Sequence, residues 1–241
     1  MSLKVCLLAA EPLYTILSDK IKISSSYAVF VHIEDSPDLV LCFNKEKFTA
    51  GIEDFCRQNN IKFIGVNKAF LRLETSKFFA KMFSANHGLL CPRLLPIEHP
   101  DYPQVVKLDR CIDDKDVRIV HSDMEKKSYT TEFAGEKYFV EEYMDGEPYS
   151  AAFYYTPDKF INFANIMFSD LQKEKFNILQ NRLEQAFRQE QAMFSSFIFV
   201  DLIWNRKDWY ILGYRFIPYE KDIENILSVN QDDLISTLIS R

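Results

Sequence analysis

Glycine is scarce in this 241-residue sequence: six glycines stand against 21 phenylalanines and 12 tyrosines. Few positions are left where backbone amides can close on a phosphate with no side chain in the way. A surplus of positive charge is also missing. The 29 lysines and arginines are outnumbered by 35 aspartates and glutamates, a formal net charge of -6. No global basic field exists to recruit nucleic acid or anionic lipid. No apolar run approaches the roughly 20 residues that span a membrane, and the run at 5–10, followed at once by Glu11, is too short for the core of a secretory leader. The five cysteines, Cys6, Cys42, Cys56, Cys91 and Cys111, are odd in number and lack CxxC spacing, which speaks against a disulfide framework and for reduced thiols in a cytoplasm. The four histidines, far apart in sequence, make no zinc pattern. There is no GxSxG elbow, internal repeat or low-complexity tract.

What is present is a well-supplied core. At 47% hydrophobic residues the chain suits one large domain or two small ones sharing a core. Residues 4–10 read as a buried strand, and Pro12 opens a helix to about residue 20. Further strands are expected at 27–33, 38–43 and 62–66, with a helix over about 50–59. This alternation is that of a small parallel doubly wound α/β sheet, assigned to residues 1–72. A helix over 75–86, capped by Thr75 or Ser76 and stopped by Gly88, puts Phe78, Phe79, Met82 and Phe83 on one stripe and Lys77 in its first turn. Pro92, Pro96, Pro100 and Pro103 punctuate a linker within the second unit, 73–241, which reads as α+β. Its expected strands are 104–108, 117–121, 137–142 and 151–155, the last running almost directly into a long amphipathic helix from 169 to about 193. An antiparallel pair, 197–204 and 209–216, follows across the polar turn 205–208, and a closing helix begins near 222.

The chemistry-bearing stretches are Gln104-Val105-Val106-Lys107-Leu108-Asp109 and, beyond it, Phe139-Val140-Glu141-Glu142-Tyr143-Met144-Asp145-Gly146-Glu147. Each is an apolar strand that ends in polar groups. With Glu74-Thr75-Ser76-Lys77-Phe78 before them and Lys115-Asp116-Val117 between them, the ordered set resembles the ATP-grasp superfamily, and within it the phosphoribosylamine–glycine ligases. The likeness runs from the first strand to Phe216. It implies an N-terminal parallel domain followed by an ATP-grasp domain of two α+β subdomains, with 104–156 as a mobile nucleotide lid. It also implies ATP as cofactor and ATP-dependent carboxylate–amine ligation in purine biosynthesis. By resemblance, Lys77 and Lys107 contact the phosphates, Glu141, Glu142, Tyr143 and Met144 form the adenine-side hinge, Glu147 stands near the ribose, and Asp201 is a metal ligand. On the residues alone, both lysines are equally ordinary surface charges, and Glu141 and Glu142 a strand edge.

The sequence departs from the family pattern where charge must be handled. The loop after Lys107-Leu108-Asp109 reads Arg110-Cys111-Ile112-Asp113-Asp114-Lys115-Asp116, with aspartates in place of a glycine-rich phosphate lid. Pro148 replaces the usual ribose carboxylate, leaving Glu147. Ala9-Ala10-Glu11-Pro12 and Phe43-Asn44-Lys45-Glu46 replace the substrate loops, and the chain reads as truncated against the ligases. On the last strand Gly213 and Arg215 fall where a glutamate and an asparagine hold magnesium. An arginine has no lone pair to give, so magnesium binding is expected to be lost or weakened, with Glu220 as a carboxylate in reserve and Arg215 as an alternative phosphate clamp. Two function classes result: an ATP-dependent ligase acting on a small molecule, or a noncatalytic relative serving as nucleotide sensor or protein-interaction scaffold.

Overall fold

The computed structural model describes residues 2–11, 13–24, 28–110, 114–163, 168–219 and 222. Strands β1 (Leu3–Ala9), β2 (Ala28–Phe30), β3 (Leu39–Phe43) and β4 (Lys62–Ile64) form a parallel sheet in the order β2-β1-β3-β4. Every residue of β3 is buried because both faces of the sheet are covered. Leu39, Leu41 and Phe43 enter one apolar cluster, while Val40 and Cys42 enter another, the two-residue period of a strand packed on both sides. Helix α1 (Leu13–Ser24) links β1 to β2. A further short helix, α2 (Lys45–Thr49), precedes the helix expected over about 50–59, which is α3 (Ile52–Gln58). Asn44 caps the first through Lys47 N at 3.1 Å, and Gly51, at φ 84°, turns the chain into the second, a conformation that favours glycine.

An additional short helix, α4 (Arg72–Thr75), precedes α5 (Lys77–Asn86), which stands where a helix is expected, with Ser76 in extended backbone (φ -129°, ψ 107°) as its cap. The Ser76 hydroxyl accepts from Phe79 N at 3.0 Å, an N-cap, and Gly88 at φ 65° follows the C-terminus. The buried face of α5 is Ala80, Lys81, Phe83 and Ser84, not the expected aromatic stripe. Phe78 is exposed and meets Phe139 edge-on, with centroids 5.6 Å apart.

A second sheet, antiparallel, has the order β5-β8-β6-β7. It comprises β5 (Leu94–Leu95), β6 (Gln104–Leu108), β7 (Val117–Val120) and β8 (Tyr138–Glu142), with helix α6 (Asp123–Glu132) packed on it. This layer has its own core of Val106, Leu108, Val120, Tyr129 and Val140. The third sheet, also antiparallel, runs β10-β9-β11-β12: β9 (Glu147–Tyr155), β10 (Phe160–Asn162), β11 (Ser196–Trp204) and β12 (Trp209–Arg215). β10 corrects the expectation of a direct run from strand to helix. Thr156 Oγ1 accepts from Lys159 N at 2.9 Å, turning the chain back so that Phe160 pairs with Tyr155. The long helix α7 (Asp170–Gln189) packs Phe176, Leu179, Leu183, Ala186 and Phe187 into the core. Along β11, Phe197 and Phe199 join the cluster that holds Leu39 and Leu41, while Ile198, Val200 and Leu202 join the one that holds Val40 and Cys42. The first and third sheets therefore share both cores. The closing helix expected from 222 falls outside the described residues, Asp222 excepted. Among the described residues no helix is long and apolar enough to cross a membrane.

Candidate functional site

β6 and β8 pair with Val105 opposite Glu141 and Lys107 opposite Phe139, so Lys107 and Glu141 are diagonal neighbours on one face of the second sheet. Lys107 Nζ lies 2.5 Å from Glu141 Oε1 and donates to the Leu212 carbonyl of β12 at 3.2 Å. Lys81 of α5 lies 2.6 Å from the other carboxylate oxygen and donates to the Pro92 carbonyl. All three side chains are buried. Burial pushes the Lys107 ammonium below its usual range, against the pull of Glu141. One carboxylate thus holds two buried ammonium groups, the arrangement that makes their burial tolerable.

Asp109 follows β6 directly, two residues beyond Lys107. Its Oδ1 accepts from the Ser76 hydroxyl at 2.7 Å and from Phe78 N at 3.0 Å. The lysine–x–aspartate spacing therefore ties the second sheet to the start of α5, where Lys77 stands. Lys77 Nζ donates to the Arg110 carbonyl and lies 3.7 Å from the fully buried Asp116. Asp116 in turn takes Arg110 Nε at 2.8 Å. The intervening loop 111–113, with its aspartate, lies outside the described residues.

The opposite wall is the β11–β12 pair, in which Asp201 sits directly across from Gly213. Arg215 turns back onto Asp201, with NH2 at 2.9 Å from Oδ1 and Nε at 3.2 Å from Oδ2. Its NH1 donates to Asp222 at 2.7 Å and NH2 to the Ser150 hydroxyl at 3.1 Å, while Tyr219 stacks on the guanidinium at 3.9 Å. Burial opposes the charge of Arg215, but the two aspartates outweigh it and hold the group above its usual range. Glu74 of α4 accepts from Phe216 N at 2.7 Å and Ile217 N at 3.3 Å. Its burial raises the carboxyl pKa, and these donors only partly offset that.

Between the walls is a cavity of about 730 Å³, a size suited to a small-molecule ligand. Lys77, Lys107, Glu141, Glu142, Tyr143, Met144 and Asp201 all line it, beside the apolar side chains of Val105, Val117, Ile119, Ile203 and Leu212. Glu142 turns its carboxylate to Arg93, whose N and Nε each donate at 2.8 Å. Glu147 is not among the lining residues. It opens β9, exposed, and takes the Tyr149 hydroxyl at 2.8 Å. Gly146 is required by close approach: a Cβ there would sit 2.3 Å from the Trp204 carbonyl oxygen.

Magnesium does not fit the donors present. The Asp201 oxygens are engaged by Arg215, Gly213 has no side chain, and a guanidinium cannot coordinate a cation. Among the described residues no group of three or more histidine, cysteine, aspartate or glutamate side chains is arranged to hold a metal. Glu220 lies outside the described residues. Sequence reasoning missed the parts played by Lys81, Ser150, Tyr219 and Asp222, none of which carries a motif of its own. Glu74 was visible only as part of the stretch leading to Lys77.

Comparison with known proteins gives the architecture its name. No protein-family model matches the chain. A phosphoribosylamine–glycine ligase from Fusobacterium nucleatum is 22% identical over an aligned span of 253 residues, covering 86% of this chain and 59% of the ligase. The chain thus spans less than two thirds of that relative. The phosphoribosylamine–glycine ligase of Thermotoga maritima superposes with a TM-score of 0.79 at 17% identity, over 98% of this chain and 74% of the other. D-alanine–D-alanine ligase from Bacillus anthracis, complexed with ATP, superposes with a TM-score of 0.69 at 14% identity, over 99% and 96%. This chain has the ATP-grasp fold, in a form that resembles the phosphoribosylamine–glycine ligases.

Proposed function

We propose that this protein holds a purine ligand, nucleotide or nucleoside, in the cleft between the second sheet and the β11–β12 pair, and that it acts by binding, as a sensor of that ligand. The reading is carried by one observation, the guanidinium of Arg215 bonded to Asp201. Metal-assisted ligation requires a divalent cation to neutralise charge developing on phosphate, and here a side-chain cation occupies the carboxylate such an ion would need. The rest of the cleft suits a purine. Val105, Ile119, Ile203 and Leu212 offer apolar surface to a flat ring, and the Glu141–Met144 segment runs along its edge, where backbone groups can read ring nitrogens.

Calorimetric titration with adenosine and with ATP, each with and without magnesium, tests this reading against the variant Ile119→Glu. Ile119 is 46% exposed on an edge strand, so the variant folds while placing a carboxylate on the apolar wall. Adenine compounds should bind the parent without help from magnesium, and the variant about tenfold more weakly or worse. Failure of every adenine compound to bind, or equal binding by the variant, refutes it. The second reading, ATP-dependent carboxylate–amine ligation of the purine-biosynthetic kind, is favoured by the Lys107–Asp109 spacing and the intact hinge motif. ADP formation from ATP and magnesium that depends on glycine and phosphoribosylamine would establish it in place of the first.

A further inference from the structure

The cavity is built for a ligand with little or no charge: we infer that its occupant is an uncharged purine nucleoside or base, and that phosphates weaken binding. This rests on the binding reading above and narrows its ligand class. Three cations line the cavity, Lys77, Lys107 and Arg215, against four carboxylates, those of Glu74, Glu141, Glu142 and Asp201. Each cation already has a carboxylate beside it. Lys107 is held by Glu141 at 2.5 Å, Lys77 donates to the Arg110 carbonyl with Asp116 3.7 Å away, and Arg215 is held by Asp201 at 2.9 Å and Asp222 at 2.7 Å. Adding the side chains that pair directly with the lining charges, Lys81 and Arg93 on one side and Asp116 and Asp222 on the other, leaves the balance unchanged. Arg110 and Glu136, one contact further out, cancel each other.

A triphosphate brings several negative charges. In ATP-binding sites such charge is met by a surplus of unspent cations or by a divalent metal, and among the described residues this cleft provides neither. Every N–H direction of Arg215 is in use, with Asp201, Ser150, Asp222 and the Ile217 carbonyl as acceptors, so the guanidinium must break internal bonds to meet a phosphate. A nucleoside makes no such demand. Its base meets the apolar wall, and its hydroxyls find acceptors in carboxylates that would repel phosphate.

The test is a metal-free titration series of adenosine, AMP, ADP and ATP in the presence of a chelator. Affinity should fall along the series, with adenosine at least about tenfold tighter than ATP. The variant Asp201→Asn removes one negative charge and one of the two acceptor oxygens beside Arg215, at a site whose side chain is 39% exposed, and it should raise the ratio of ATP to adenosine affinity by about tenfold. Affinity that rises with phosphate number, or a ratio that Asp201→Asn leaves unmoved, overturns the inference while leaving a purine-binding cleft intact. Absence of binding by all four compounds overturns the binding reading and this inference together.

Discussion

Glu141→Gln is the sharpest test of the lysine–carboxylate cluster. Glu141 is 1% exposed and Lys81 and Lys107 are each 7% exposed, with the two ammonium groups 2.6 and 2.5 Å from its two oxygens. The glutamine keeps one acceptor and the shape of the side chain but removes the charge, stranding two buried cations side by side. Breaking a buried ion pair costs about 3–5 kcal/mol. A chain of this size loses about 2–4 °C of melting temperature per kcal/mol, so thermal unfolding followed by circular dichroism should show a fall of roughly 6–20 °C near neutral pH.

The pH dependence gives the same test a second readout. The folded-state pKa of Lys107 is depressed below 10.5, so in the window between the two values the unfolded chain binds more protons. The penalty for burying the charged amine is then fully present below the folded pKa and is relieved as pH rises from there to 10.5. In Glu141→Gln the opposing pull of the carboxylate is gone, the Lys107 pKa drops further, and relief begins at lower pH. The gap in stability between parent and variant should therefore narrow as pH is raised toward 10.5. Adding Lys81→Met to the variant removes one stranded cation and should recover part of the loss, as expected of side chains in one network. A melting temperature within about 1 °C of the parent, or a gap that does not narrow with pH, refutes the reasoning.

Two further outcomes test how the site is held. Ser76→Ala removes both the cap of α5 and the hydroxyl that donates to Asp109 at 2.7 Å; it should cost about 1–2 kcal/mol, read as a lower urea midpoint with an unchanged slope. Gly146→Ala places a methyl 2.3 Å from the Trp204 carbonyl and should cost about 1–3 kcal/mol through overpacking. A urea midpoint equal to that of the parent would show that the hinge can move away from β11.

The parts of the fold legible in the sequence are those in which local pattern and burial agree. β3 is apolar at every position and is buried on both faces; Gln104–Leu108 and Ser196–Trp204 are mostly apolar, largely buried strands that appear nearly where expected. The omissions have identifiable causes. β10 is three half-buried residues, too short for a two-residue period to show, although Pro157-Asp158 marks the turn before it. α6 buries only Lys126 and Tyr129, so it lacks an apolar stripe. Its signal is the cap, Ser122 accepting from Glu125 N at 3.2 Å while His121 N donates to Glu125 at 2.8 Å, and the serine–x–x–glutamate spacing was there to be read.

The site divides along a similar line. The sequence brings the Lys107 and Glu141 stretches to one cleft but as facing walls; β6 and β8 instead pair in one sheet, which makes the two side chains neighbours on the same wall. Lys81 cannot be placed there from sequence, since a lysine among Phe79, Met82 and Phe83 reads as the exposed edge of an apolar helix until Glu141 is known to face it. Arg215 is the most instructive case. Its closeness to Asp201 follows from strand register, since Gly213 lies across from Asp201 and Arg215 two residues further along the same strand, but whether it meets a ligand depends on partners at Ser150 and Asp222, 65 and 7 residues away in sequence. Those partners decide the chemistry, because an arginine with open N–H groups is a phosphate clamp and one saturated by two carboxylates and a hydroxyl is a structural brace. The Asp201 carboxylate is thus neutralised from within the protein, by a guanidinium that Asp222 and Ser150 hold in place.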